Sequence, residues 1–305
     1  MTSHRKTLCV GLVCVDIINI VHHFPTEDSD TRCLDCLWQR GGNASNTSSI
    51  IALLGEPSEF MGTLGDSKEI HFLQEDFANY GICTDNCVGC RECCCPLSIV
   101  ILNSLNGSRT ILHTNKNLPE LTLEDFSKID LNTYKWIHFE ARPSCDEIKK
   151  MLQRIDEYNK GTDHILHTSV ELEKPERPQA NILFDMAEYV FVSKQYAMQF
   201  SCNTMTDAVQ CLFEKCRPGA SIICAWGELG AAAMNNQIGV VTCPAFPPEK
   251  VVDTLGAGDT FVGGTIYALG KGLDLKKSIT FGCKVAGAKC GLMGNKHIKN
   301  IKLHV

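Results

Sequence analysis

The run Val251-Val252-Asp253-Thr254-Leu255-Gly256-Ala257-Gly258-Asp259-Thr260-Phe261 decides how this chain is read. A short apolar segment gives way to small residues, then to an acid, then to a stretch of helical character. Gly256, Ala257 and Gly258 allow a tight turn and leave N–H donors free at a helix start, where the helix dipole favours anions. A carboxylate at Asp259 is electrostatically out of place beside such a site. A proton-accepting role accounts for it, because a hydroxyl that attacks a phosphoryl group must lose its proton. The plainer alternative is a cap on an ordinary buried helix, and the motif alone does not choose between them.

A second cluster, Arg40-Gly41-Gly42-Asn43-Ala44-Ser45-Asn46, lies near the other end of the chain. Its glycines permit close backbone approach, and its asparagines, three apart, put amides on one side of a helix start. Amides offer donors and acceptors without charge, which suits polyol hydroxyls. Taken alone, the cluster also reads as a Gly-rich loop with an asparagine cap. Asp16 follows Leu8–Val15, an apolar run read as one buried strand. Ligands in parallel α/β sheets bind beyond the carboxyl ends of strands, where this reading puts Asp16.

Between the two clusters, strand-like and helix-like pieces alternate. Helical spacing covers Asn43–Leu54 (ended by Gly55), Ile70–Tyr80, Cys145–Asn159 with Ser144 as cap, Thr206–Cys216, and a last helix from Asp274 to Lys289. Strand-like runs are Trp136–Phe139, Thr168–Leu172, Tyr189–Val192 and Ser221–Trp226. Such alternation predicts an α/β fold: a mostly parallel sheet with helices on both faces. Residues 12–40 and 97–113, the latter with a turn at Asn106-Gly107, break the rhythm and predict a small β-strand lid or clasp on a single domain spanning 1–305.

A hydrophobic content of 44% over 305 residues predicts a full core, and a net charge of -6 argues against a nucleic-acid partner. Lys296–His304, mildly basic, reads as a solvated terminus. Leu8–Val15 is too short to cross a bilayer and precedes no cleavage pattern, so no secretion signal and no membrane partner are expected, and the location is read as cytoplasmic. The 18 cysteines are mostly scattered through apolar segments, as small core residues of a reducing compartment. Cys83, Cys87, Cys90, Cys93, Cys94 and Cys95 overlap two Cys-x-x-Cys spacings; reduced loop thiols and a structural metal are the alternatives, and no metal ligand is assigned.

With both motifs in this order, the chain resembles the ribokinase-like family of carbohydrate kinases. Trp38–Asn46, Lys135-Trp136-Ile137-His138, Met151–Asp156, Phe191–Lys194 and Cys224-Ala225-Trp226 extend the resemblance along nearly the whole chain, toward the animal-type fructokinases within that family. The resemblance implies ATP-dependent phosphorylation of the C1 hydroxyl of fructose, or of a similar ketose. It makes Asp259 the general base and Gly256, Ala257 and Gly258 the anion hole. Asp16, Gly42, Asn43 and Asn46 would hold the sugar, joined by Asp28 from the β element of a neighbouring subunit in a homodimer. Arg109, Lys194, Gly227, Glu228, Leu229 and Gly230 would line the nucleotide, with Phe246, Pro247, Pro248 and Cys283 at its base. Mg²⁺ carried with ATP and an activating potassium ion are also implied. The family's Asn-x-x-Glu motif is replaced by Ser193-Lys194-Gln195-Tyr196, Leu229 stands where a second acid is usual, and Gly65-Asp66-Ser67-Lys68 and the Cys83–Cys95 stretch depart from the pattern. A kinase for another sugar or a nucleoside on the same fold, and a non-catalytic sugar-binding relative, are the alternatives.

Overall fold

The computed structural model describes residues 5–300. Its strands are β1 (Lys6–Val10), β2 (Cys14–Val21), β3 (Asp35–Gly41), β4 (Ser58–Met61), β5 (Thr63–Gly65), β6 (Val88–Cys90), β7 (Leu97–Asn103), β8 (Arg109–Thr114), β9 (Tyr134–Glu140), β10 (His167–Leu172), β11 (Tyr189–Ser193), β12 (Ser221–Ala225), β13 (Ala231–Asn235) and β14 (Gly239–Cys243). The helices are α1 (Asn43–Leu53), α2 (Ile70–Asn79), α3 (Leu123–Phe126), α4 (Cys145–Lys160), α5 (Lys194–Met198), α6 (Met205–Phe213), α7 (Ala257–Gly270) and α8 (Leu275–Cys290).

The main sheet runs β14-β13-β12-β11-β10-β9-β1-β4, and all neighbours are parallel up to β12, where an antiparallel edge hairpin of β13 and β14 takes over. Strands buried on both faces carry apolar residues on both, which is why these runs lack clean alternation. Leu8, Val10, Ile137 and Phe139 face one core with α4 and α6. Cys9, Trp136, Phe191 and Ile223 face the other, with α1, α7 and α8. The edge hairpin has no counterpart in the predicted elements, because Ala231-Ala232-Ala233 is poor in the residue types that mark strands.

Leu8–Val15 is not one strand. The chain leaves the main sheet at Gly11, where a Cβ would sit 2.7 Å from the Cβ atoms of Ala44 and Glu140. The N–H of Leu12 is then held by the Glu140 carboxylate at 3.0 Å. Cys14 starts β2 in a second sheet, ordered β3-β2-β7-β8, so Asp16 stands on a lid strand and not past the end of a core strand. This four-stranded lid takes its strands from residues 14–41 and 97–114. Its small core joins Ile18, Val100 and Leu102 to Leu255, the leucine of the C-terminal motif.

Ser144 occupies the N-cap position of α4 but makes no side-chain cap hydrogen bond, whereas Asp274 caps α8 by accepting from the N–H of Lys277 at 2.8 Å. The cysteine-rich loop is tied down by the unusual Gly65–Lys68 segment: Asp66 accepts from the N–H of Glu92 at 3.1 Å and Ser67 from that of Cys95 at 2.9 Å. Among the described residues no group of three or more His, Cys, Asp or Glu is arranged to hold a metal, and none of the helices is long and apolar enough to cross a membrane. Of the basic C-terminal stretch, Lys296–Asn300 forms a 3-10 turn, and 301–304 lie outside the described residues.

Candidate active site

The two motifs meet through one hydrogen bond: Asn46 Nδ2 donates to Asp259 Oδ2 at 2.7 Å, across 213 residues of sequence. Each half is prepared locally. Gly42 has φ 98°, and a Cβ there would lie 2.2 Å from the carbonyl oxygen of Leu12. A Cβ on Gly41 would lie 2.2–2.5 Å from the carboxylate of Asp16. The first glycine of the pair therefore makes room for Asp16, and the second makes the turn. Arg40 is buried beneath them, bonded to Asp76 at 2.7 Å, to Ser49 at 2.6 Å and to Ser45, with Phe77 under its guanidinium. It pins the start of α1.

Asn43 is the first residue of α1 and does not cap it. Its amide donates to Glu173 at 2.8 Å and Glu171 at 3.3 Å. Asp16 is buried, which pushes its carboxyl up, partly offset by the Ser98 hydroxyl and the Cys14 thiol. Neither helix has a side-chain cap: the N-caps are Gly42 and Gly256, and Asn46 points across at Asp259.

At the other motif, Gly256 is the N-cap of α7 in a left-handed conformation, φ 73°. Ala257 uses its N–H on the carbonyl of Thr254 at 3.2 Å, and Thr260 bonds Gly256 at 2.9 Å. Among the described residues the N–H groups of Gly256, Gly258 and Asp259 have no partner in the chain. The expected trio of free donors is therefore revised, with Ala257 giving way to Asp259 itself. A Cβ on Gly256 would approach Asn46 Nδ2 and Asp259 Oδ2 at 3.7 Å, whereas one on Gly258 would meet nothing within 4 Å.

Burial pushes the Asp259 carboxyl up to about 7; Asn46 pulls it down, while Glu173 and Glu140 push it further up and Lys174 opposes them. Glu171 is likewise held well above the usual carboxylate range, first by burial and then by the charges of Asp259, Glu173 and Glu140. Glu140 goes the other way. Burial opposes its ionisation, but Arg142 and the N–H groups of Leu12 and Ala44 more than offset that and hold it low. These acids were not among the sequence candidates. Glu140 closes β9 and Glu171 stands one residue before the end of β10, and only strand order makes them direct partners. Acids at the carboxyl ends of parallel strands were the available signal.

The remaining candidates fall into two places. Arg109, at the start of β8, donates to the Thr254 hydroxyl at 3.0 Å, which brings the lid turn onto the C-terminal motif. Gly227–Leu229 forms a 3-10 turn after β12, and Gly230 (φ 104°) sits so close to Cys243 that a Cβ would lie 2.1 Å from its carbonyl oxygen. Lys194 places its ammonium 4.0 Å from Glu228 and 5.6 Å from the Trp226 ring. Leu229 is exposed. Phe246 lies against Gly287 of α8 and Pro248 against Gly291, its C-cap, on the stripe that also carries the buried Cys283. Pro247 lies between them. Asp28 is different: it is exposed in the loop between β2 and β3, with φ 58°, and makes no hydrogen bond to the Asp259 group.

The pfkB family carbohydrate kinase profile matches residues 4–299. The chain belongs to that family. This kinase is 44% identical to ketohexokinase from Mus musculus over 294 residues, which is 96% of this chain and 98% of the mouse protein. Its fold is also that of a putative ribokinase from Agrobacterium tumefaciens, with a TM-score of 0.81 at 20% identity over 96% and 93% of the two chains. A ribokinase from Cryptococcus neoformans, solved in complex with ADP, gives 0.74 at 18% identity over 96% of each chain. The kinase thus shares its architecture with remote relatives, and 44% of the residues over 96% of its length with a ketohexokinase.

Proposed function

We propose that this carbohydrate kinase transfers the γ-phosphoryl group of MgATP to the C1 hydroxyl of fructose. The observation that carries the reading is the pairing of Asp259 with free N–H donors at one helix start: a proton acceptor beside an anion hole. The likeness to the mouse ketohexokinase supports fructose as the acceptor. Asp259 takes the C1 proton as the oxygen attacks phosphorus. The N–H groups of Gly256 and Gly258 stabilise charge on the transferred group. Asp16, Asn43 and Asn46 hold the sugar hydroxyls against Gly42, and Arg109 neutralises nucleotide phosphate. Lys194, Gly227–Gly230, Phe246, Pro247 and Cys283 line the nucleotide. The free cysteine thiols, 18 in all, fit a reducing cytoplasm.

Potassium, the activator implied by the family resemblance, finds one uncommitted buried oxygen near the motif. Asn295 Oδ1 has no partner, next to Gly294, whose N–H donates to Asp253 at 3.0 Å. A hard cation takes several oxygen ligands, of which the neutral Asn295 Oδ1 would supply one.

The pH dependence tests the base. With Asp259 held up at about 7, kcat/KM for fructose should climb as pH rises through that value and level off above it, because the free base must be unprotonated. A rate already level from about pH 5, the behaviour of an ordinary carboxylate, would reject Asp259 as that base.

A homodimer completes the reading. The lid leaves Trp38, Ile111, Leu112, Leu34 and Phe24 exposed, more apolar surface than an isolated sheet commonly shows to water. Asp28, unused within its own chain, would then reach the neighbour's sugar. Asp28→Ala should raise the fructose KM and leave that of ATP nearly unchanged. Mixed dimers of Asp28→Ala and Asp259→Asn chains should keep about half the activity at parental KM, since both lesions fall in one composite site. A surviving site with the raised KM would place Asp28 in its own subunit.

A further inference from the structure

Lys289 is fully buried, with none of its surface exposed, in the last turn of α8. Its ammonium lies 2.6 Å from Asp253 Oδ2 and 2.9 Å from the Asp253 carbonyl oxygen. Asp253 opens the C-terminal motif. Its other carboxylate oxygen accepts from the N–H of Leu255 at 2.8 Å, and Oδ2 also accepts from that of Gly294 at 3.0 Å. Main-chain bonds from Val252 and Asp253 to the carbonyl of Cys290, at 2.8 and 3.2 Å, close the clamp. Three residues past Asp253 stands Gly256, and six past it stands Asp259. A buried ammonium is costly to keep, and a side chain this long reaches the motif only because α8 ends beside it. Nothing in the general core requires a charge here.

We propose that Lys289 is a positioning residue for phosphoryl transfer: by fixing Asp253 it sets the turn 254–258 that presents the anion-hole N–H groups and Asp259. This rests on the reading of that turn as the phosphoryl site. Asp16 is held by Cys14 and Ser98, and Asn43 by Glu171 and Glu173; Asn46 alone leans on Asp259, so the effect should fall mainly on turnover and little on sugar affinity.

The test is Lys289→Met, which keeps much of the side-chain volume without the charge. Turnover should drop about tenfold or more, while the fructose dissociation constant, measured by calorimetry without nucleotide, stays within about twofold. Hydrogen exchange of a peptide covering 254–260 should quicken, with the β9 and β10 peptides unchanged. The double variant Lys289→Met with Asp253→Asn leaves no unpaired charge and should recover thermal stability without recovering turnover. Parental turnover in either folded variant, or unchanged exchange of 254–260, would overturn the proposal. Should the parent itself release no ADP with fructose, the functional reading fails, and the exchange result alone decides the role of Lys289.

Discussion

Asp259→Asn is expected to cut turnover on fructose by about 10²-fold or more, the scale of a lost general base. Asparagine can still accept from Asn46, so the bond that joins the two motifs is kept. The same variant should not lose stability, and the sign follows from linkage. Folding lifts the Asp259 pKa to about 7, so the native state keeps a proton that the unfolded chain has given up between the ordinary carboxylate value and about 7. That group's stabilising contribution is lost as pH rises through the window, when charge must sit among Glu171, Glu173 and Glu140. An asparagine carries no such charge. At pH 8 the melting temperature of Asp259→Asn should therefore equal or exceed that of the parent while activity collapses. A variant that is both inactive and markedly less stable would instead make Asp259 a structural residue.

Gly42→Ala is expected to damage the fold itself. Its φ of 98° is unfavourable for alanine, and the new Cβ would fall 2.2 Å from a main-chain oxygen and 2.8 Å from the carbon behind it. A flexible side chain could yield, but the backbone at Leu12 is already held by Glu140. A loss of about 3–5 kcal/mol is expected. At about 2.1 cal/mol/K per residue, that is roughly 5–8 °C in Tm. Gly258→Ala gives the contrast. Beyond its chain neighbours and the backbone of its own helix turn, no protein atom lies within 4 Å of its Cβ, so Tm should be nearly unchanged while turnover falls by an order of magnitude or so, because the methyl crowds the phosphoryl group. Equal Tm losses in the two variants would contradict the different reasons given for these glycines.

The layer architecture was readable because buried parallel strands and amphipathic helices leave different periods in the sequence. What periodicity cannot show is a change of sheet. Leu8–Val15 is uniformly apolar, yet Leu8, Cys9 and Val10 belong to β1 and Cys14 and Val15 to β2, because both are buried for different reasons. Asp16 lies on β2 of the lid and not past the end of a core strand, as the unbroken apolar run suggests. The motif residues Gly42, Asn46 and Asp259 were legible because spacing fixes them locally. Glu171, Glu173 and Glu140 were not, since a lone acid after an apolar run acquires meaning only when strand order lines it up with another. Lys289 was hidden in a similar way. A lysine in the last turn of a helix ordinarily answers the helix dipole from the surface, and only the approach of Asp253 reveals that this one points inward.

The most direct test of the central claim is the position of the phosphate on the product. Purified protein, MgATP, potassium and ¹³C-labelled fructose should yield one ADP per sugar phosphorylated, with carbon–phosphorus coupling at C1 in the NMR spectrum. Phosphate on C6, or ADP release that requires an aldose or a nucleoside instead of fructose, would contradict it.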